Sequence, residues 1–564
     1  MSDLDTIIRK HSLKNAFDFG KASSGSVVGK VIAEQPDCKK DMKETMKNIN
    51  DTIAQINMMK KNEIESELSK YEFAEKPKEE KKEIEVPDAE MGNVVVRYPP
   101  EPNGYPHIGH AKAFCLSSAI AKRYNGKIIL RWDDTNPEAE KAEFVDAIKE
   151  GIRWLGLSWD EEVHCSDHIP KMYELCEKLL KDGNGYSCTC SQDEIAKSRE
   201  TMKRCSHGSQ TTAKNLDMWK KMLDGTVGEG EMTIRLKADM ASQNTVMRDP
   251  TLFRIITAPH FRQGKKYRVW PTYDFQAPVM DSILGITHPI RSKEYELRDE
   301  LYVFLLGKLG LRIPKMISIS RLEIKNAPIS KRLLRPLVES GKLFGWDDPR
   351  LPTLMGLKRR GIQPGAIRNF VLSFGISKVE SEPDWEALLV ENRKLLDPLA
   401  DRYFFVADPV ELVVGDAPEE TVKVRKHPKL DHGFREIETS DTFYISKADA
   451  ATLEKDEVFR LKDLFNVEVT DKEEKIIGGN YAGDSKVDKK FQWVSEDRID
   501  CEVLVPQDLL KNGEFNPESL KVVSGYCEKN CAKLSEGTVI QFERFGFVRL
   551  DKKEKDRLVF IFTC

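Results

Sequence analysis

Two imidazoles three residues apart, His107 and His110, enclose Gly109 in the run PPEPNGYPHIGH (99–110). If a helix opens here, both rings share one face beside free backbone N–H groups, and Gly109 lets a ligand come close to the backbone. Such a site suits a phosphoryl group, because ring N–H donors stabilise negative charge that grows in a transition state. Much later comes Ala327-Pro328-Ile329-Ser330-Lys331-Arg332, where a lysine among small and polar residues can close on a triphosphate. Taken alone, the first run also reads as a packed histidine pair and the second as a surface turn. Their order and flanking patterns favour the chemical reading. A further constellation, Cys188-x-Cys190 followed by Cys205-x-His207, offers three thiolates and an imidazole, a donor set for tetrahedral Zn2+. Cys527-x-x-x-Cys531 has no second pair nearby and reads as structural.

The elements that must hold these residues follow from the apolar pattern. Val94–Tyr98 is a short β-branched run suited to a buried parallel strand. A Pro/Gly loop, a helical stretch over 107–124 and a second strand, KIILRW (127–132), come next. Phe144, Ile148, Ile152 and Leu155 mark an amphipathic helix. This rhythm predicts a parallel α/β domain over 91–325. A polar, Cys-containing insertion over about 186–265 breaks it, with strand material at Met232–Lys237. The rhythm resumes near Val269–Tyr273 and Ser282–Ile290. Residues 326–400 read as helical, and 401–564 as short alternating strands forming antiparallel β-barrels. Residues 1–90 form an appended helical region, where Met42, Met46, Ile49, Ile53 and Ile56 make one helix face. The charged run 74–90 reads as a solvated linker.

Composition excludes several classes. The 564 residues are 40% hydrophobic and 32% charged, and no apolar run is long enough to span a membrane. The first residues lack an apolar signal core, and eleven cysteines are too few for a disulfide scaffold. A cytoplasmic protein with reduced thiols is expected. The net charge of -4 speaks against a wholly basic nucleic-acid coat. Locally, however, Lys325–Arg368 carries ten Lys/Arg against three Asp/Glu and includes Lys358-Arg359-Arg360.

The stretch from Arg97 to Phe144, then VWPTYDFQAPVMDSILGITHPIRSKEY (269–295) and SRLEIKNAPISKR (320–332), resemble the class I aminoacyl-tRNA synthetases of the glutamyl/glutaminyl group. The second signature keeps Ser330-Lys331 but has Ile329 where the family pattern has Met. The resemblance implies a Rossmann-like catalytic domain with an acceptor-binding insertion, a helical stem-contact region and, in archaeal-type members, C-terminal anticodon-reading barrels. It implies that ATP, with Mg2+, activates an amino acid that is then passed to tRNA. Catalysis would rest on His107, His110 and Lys331, with Gly109 and Ser330 also at the ATP. Arg97, Asp133, Tyr273 and Arg291 match the amino-acid pocket: Asp133 for the ammonium and Arg291 for a side-chain carboxylate. The basic stretch then suits phosphate contacts with a tRNA stem.

A fork of guanidinium donors at Arg291 favours glutamate over glutamine. The expected function is therefore glutamate–tRNA ligation of archaeal type, with tRNA-Glu and L-glutamate as partners, charging of tRNA-Gln left open, and a monomer expected. Glutaminyl-tRNA synthetase is the nearest alternative. A small-molecule nucleotidyltransferase would not need the long β region, and a non-catalytic tRNA scaffold would not need His107, His110 and Lys331.

Overall fold

The computed structural model describes residues 3–71 and 84–564, and the chain divides into two compact units, Met1–Glu83 and Ile84–Cys564. In the first, helices Asp3–Phe19, Ser24–Glu34, Met42–Ile56 and Lys61–Leu68 close around Ile8, Leu13, Val27, Val31 and Ile49. Asp41 caps the third helix by accepting the Glu44 N–H at 3.0 Å. The apolar stripe on that helix is its buried face from Ile49 onward, while Met42 in the first turn is exposed.

Residues 74–83 of the charged run lie outside the described residues. Of residues 84–90, expected to be solvated, Glu85, Pro87, Asp88 and Glu90 are exposed, while Val86 anchors the segment within the second unit. Val86 is buried, its N–H donates to Tyr124 Oη at 3.2 Å, and Pro87 O accepts from His288 Nε2 at 2.9 Å.

In the second unit, strands Val95–Tyr98, Lys127–Trp132 and Glu161–His164 form a parallel sheet, with Arg97 opposite Ile129. Helices Ile108–Arg123 and Ala142–Trp154 connect them. A second parallel pair, Ile290–Ser292 with Ile317–Ile319, joins the first sheet where the Thr287 and His288 N–H groups donate to Val95 O. Val96, Phe114, Leu130, Trp132, Ile290 and Ile317 share one core, so the five strands make one layer. Gly126 permits the close approach of the first two strands: a Cβ there would lie 2.3 Å from Val94 O.

The insertion folds as a four-stranded antiparallel sheet, Gly185–Cys188, Thr233–Leu236, Thr251–Ile255 and Val269–Pro271. Its core of Trp219, Phe253 and Trp270 runs on into Phe275 and Val279 of helix Tyr273–Ile283. The insertion thus buttresses a helix of the site.

Helices Lys331–Glu339, Leu354–Arg360, Pro364–Ser373 and Trp385–Leu396 follow. Here the basic stretch is divided: Lys325, Arg332, Arg335, Lys342 and Lys358 are exposed, while Arg350, Arg359, Arg360 and Arg368 turn inward. Arg350 pairs with buried Asp348 at 2.7 Å, and Arg359 joins Asp551 at 2.8 Å and Asp347 at 3.1 Å. Arg360 is buried against Trp385, and Arg368 donates to Leu155 O. Within Lys358-Arg359-Arg360, Arg359 thus ties the helical region to the last sheet, while Lys358 stays exposed beside Glu150. Arg332 and Arg335 are left exposed beside the Lys331 loop.

Two seven-stranded, barrel-like sheets complete the chain. Most pairings are antiparallel, but Pro409–Gly415 runs parallel to Ile476–Tyr481, and Arg498–Pro506 parallel to Arg557–Phe562. The first sheet packs Leu412, Phe443, Phe459 and Trp493, and the second Val503, Phe542, Leu550 and Phe560. Cys501, Cys527 and Cys531 are buried in the second core, as apolar packing residues. Among the described residues no helix is long and apolar enough to cross a membrane.

Gly126→Ala forces the first two strands of the catalytic sheet apart. It is expected to destabilise the second unit by about 1–3 kcal/mol, seen as a lower urea midpoint at unchanged slope.

Candidate active site

The site is built where the parallel strands end. Arg97 and Arg131 are the penultimate residues of the first and second strands, and Asp133 follows directly after the second. Helix Tyr273–Ile283 faces them with Asp281. This carboxylate accepts from Arg97 Nε at 2.6 Å, Arg131 Nη1 at 2.6 Å and Tyr302 Oη at 2.9 Å. Arg131 also grips Asp133 through Nε at 2.7 Å and Nη2 at 3.1 Å. Gln276 Nε2 donates to Asp133 Oδ1 at 2.9 Å. Burial alone would raise the Asp281 carboxyl, but Arg97 and Arg131 outweigh it and hold it below the ordinary value.

Above this network lies a cavity of about 380 Å³ lined by Arg97, His107, Gly109, His110, Asp133, Tyr273 and Arg291. Seven residues from separate stretches of the sequence thus meet in one place. Arg97 reaches the wall with its nitrogens already engaged by Asp281 and by Ile290 O. Arg291 differs: Nη1 donates to Asp299 at 2.5 Å, while its buried Nε has no partner among the described residues.

The two histidines hold the helix start as well as the cavity. His107 is the N-cap, and its Nδ1 accepts the Gly109 N–H at 3.1 Å. His110 Nδ1 accepts the His107 N–H at 3.2 Å, closing a reciprocal cap. The 352–354 segment clamps this turn, with Ile108 N–H donating to Pro352 O and Leu354 N–H to Pro106 O. Because each Nδ1 accepts, each ring carries its proton on Nε2. Burial, and then the nearby Lys331 charge, push His110 down to about 4; burial and His110 likewise hold His107 well below the usual value.

Lys331 opens the helix Lys331–Glu339 behind the histidines, in an adjoining cavity of about 200 Å³ with Asn103, Phe144 and Trp346. Its Nζ donates to Asn103 O and to Asn103 Oδ1 at 2.7 Å. Gly104 makes room, since a Cβ there would lie 2.0 Å from Lys331 Cε. Ser330 is the N-cap and lines neither cavity, whereas Ile329 lines both.

On the insertion, Cys188, Cys190, Cys205 and His207 converge, with ligand atoms all within 4.8 Å of one another. Cys188 Sγ lies 3.8 Å from Cys205 Sγ and from His207 Nδ1, and Cys190 Sγ lies 3.4 Å from His207 Nδ1. His207 Nε2 meets Thr189 Oγ1 at 3.0 Å, leaving Nδ1 for an ion. The cluster can hold a metal.

Sequence reasoning missed Arg131, Gln276, Asp281 and Asp299. A signal existed for Arg131, which stands two residues before Asp133. None existed for Asp281, whose role appears only when helix and sheet meet.

Comparison with known proteins gives three family matches in chain order: tRNA synthetases class I (E and Q), catalytic domain, over 93–398, and two of its anti-codon binding domains, over 400–483 and 490–551. The glutamate–tRNA ligase of Nitrosopumilus maritimus is 41% identical over 97% of this chain and 98% of its own. That of Cenarchaeum symbiosum is 41% identical over 98% and 99%. That of Pyrococcus furiosus is 39% identical over the whole of both chains.

With a folded-state value depressed below the roughly 6.5 of unfolded histidine, His110 binds no proton where the unfolded chain does. Its contribution to stability is therefore complete above about pH 6.5 and falls away toward its folded value of about 4. Urea midpoints measured between pH 4.5 and 7.5 should climb more steeply for the natural chain than for His110→Asn.

Proposed function

The chain belongs to the class I glutamyl/glutaminyl-tRNA synthetases, and from that membership we infer that it is a glutamate–tRNA ligase. A carboxylate oxygen of L-glutamate attacks the α-phosphorus of ATP, forming the acyl–phosphate bond as the bond to pyrophosphate breaks. A ribose hydroxyl at the 3′ end of tRNA-Glu then attacks the acyl carbon and releases AMP. No protein nucleophile is required, so the chain contributes position and charge.

The observation that carries the assignment of roles is the shared cavity, with its two Nε2–H donors at one side and the Arg291 fork at the other. His107 and His110 donate these protons as hydrogen bonds to phosphoryl oxygens at the α-phosphate while remaining neutral. Gly109 admits the nucleotide, and Ser330 and Lys331 close on it. Lys331 has to leave Asn103 to reach the departing pyrophosphate. Mg2+ arriving with ATP offsets the triphosphate charge. Asp133 retains acceptor capacity for the substrate ammonium beyond its Arg131 pair. Tyr273 forms the wall beside the substrate side chain. Arg97 acts by holding Asp281 and adding positive potential, and Arg291 takes the side-chain carboxylate. A glutamine amide would leave the second edge of that buried guanidinium, beyond its Asp299 pair, without a charged acceptor, which disfavours it. The barrel-like sheets meet the anticodon, and we place the reaction in the cytoplasm.

We assign the Cys/His cluster to Zn2+. Bond lengths of about 2.3 Å to sulfur and 2.0 Å to nitrogen at tetrahedral angles give ligand–ligand edges of about 3.5–3.8 Å. Three of the six spacings, 3.4–3.8 Å, lie close to these edges, and all six are within 4.8 Å. The ion would pin Cys188 at the end of its strand to the 205–207 turn, a structural role remote from the reacting atoms. Purified protein should contain about one zinc per chain, and Cys190→Ser should lose it and unfold the insertion at lower temperature.

ATP–pyrophosphate exchange with tRNA present tests the function. Glutamate should support it, and exchange with glutamine alone would overturn the assignment. Lys331→Ala should slow exchange by about 10²–10³-fold with tRNA affinity nearly unchanged. Charging of tRNA-Gln beside tRNA-Glu in the same preparation defines the tRNA range.

A further inference from the structure

Arg291 alone does not explain how its donors come to face the substrate. The side chain is long, and a guanidinium presents two different edges to a carboxylate. Here Nη1 is drawn to Asp299 Oδ1 at 2.5 Å and lies 3.2 Å from Met316 Sδ, while Nε has no partner among the described residues. Engaging Nη1 leaves the Nε–Nη2 edge without an anion in a side chain that lines the cavity, and that edge carries two parallel N–H donors. The rings of Tyr273, Tyr295 and Tyr302 surround the guanidinium at 5.1–6.0 Å and supply no second anion.

Asp299 is itself held firmly. It is the first residue of helix Asp299–Leu309, and its neighbour Arg298 is paired with Asp274 on the facing helix. Tyr302, one turn on and on the same face, donates to Asp281 at 2.9 Å. One short helix thus joins the Arg291 fork to the carboxylate that organises the rest of the pocket.

We infer that Asp299 is a positioning residue that turns the Arg291 fork toward the substrate's side-chain carboxylate and so sets the preference for glutamate over glutamine. The inference rests on the role proposed for Arg291. Asp299 touches neither substrate nor the reacting atoms. It acts by fixing which edge is free, and by offsetting the charge of the buried guanidinium when the pocket is empty. An amide at 299 would point an N–H group at the guanidinium in one of its two orientations, and the fork would turn away.

The test compares Asp299→Asn, Asp299→Ser, Asp299→Glu and Arg291→Gln by ATP–pyrophosphate exchange on the full chain with tRNA, each checked for folding by circular dichroism and melting. Asp299→Asn should raise the glutamate KM by about tenfold or more, as expected for one charge-assisted bond. The ATP KM should stay within about twofold, and the glutamate/glutamine preference should fall as the glutamate KM rises. Asp299→Glu, which restores the charge, should recover part of both. Asp299→Ser removes the charge differently, so a folding failure of one variant leaves the other to decide. An unchanged glutamate KM in Asp299→Asn and Asp299→Ser, with Arg291→Gln strongly impaired, overturns the inference alone. Equal rises in the KM for ATP and glutamate also overturn it, since general damage moves both. An Arg291→Gln variant with ordinary glutamate kinetics overturns the Arg291 reading beneath it.

Discussion

One carboxylate, Asp281, holds two arginines from adjacent parallel strands, and the active site is arranged around that contact. Arg97, Arg131 and Asp281 are all buried, and removal of one partner from such a set costs about 3–5 kcal/mol because a charge is left unpaired. The same contact fixes relative position. Asp281 sits two turns along the helix from Tyr273, so gripping it sets where Tyr273 stands against the strand ends. Arg131 carries the restraint on to Asp133, and Tyr302 carries it to the helix that begins with Asp299. Groups lining the cavity are thereby located by charges that engage one another. Enzymes that work by positioning need supports of this kind, because small displacements of donors cost large factors in rate.

The histidine pair follows a similar economy of parts. A helix start leaves backbone N–H groups unsatisfied, and His107 and His110 satisfy two of them with Nδ1. That structural duty settles the tautomer and sends both N–H donors outward. It also opposes protonation, because an imidazolium has no acceptor to offer the backbone. A neutral donor pair at neutral pH is thus a property of the cap, reinforced by burial and by Lys331 behind it.

Much of this was legible in the sequence, for physical reasons that differ by element. Strand Lys127–Trp132 and helix Ile108–Arg123 were readable because β-branched runs, a Pro/Gly loop and an apolar helix face are local signals. The Cys188/Cys190/Cys205/His207 set was readable because ligand chemistry restricts residue type and spacing. Asp281 was not, since an acidic residue in an apolar helix reveals a partner only once the sheet is assembled. Arg359 misled for the opposite reason: charge in a sequence carries no direction, and Asp551, almost two hundred residues away, turned it inward. Val86 misled through its neighbours, a single apolar anchor at the end of a charged run.

The two C-terminal sheets are interlocked along the chain. Phe405–Ala407 pairs with Leu520–Glu528 in the second sheet, although the whole first sheet lies between them in sequence. The first sheet in turn takes an edge strand from Val494–Ser495, just before the second resumes. Arg435, in a hairpin between strands of the first sheet, reaches Glu528 at 2.9 Å inside the second. During synthesis, then, a chain that has emerged as far as residue 490 has finished neither sheet, and residues 402–407 must wait for partners still inside the ribosome. Such pairings between distant segments close slowly. The matched segments 400–483 and 490–551 are consequently not units of folding: cutting between them would leave two incomplete sheets, each missing two short strands held by the other.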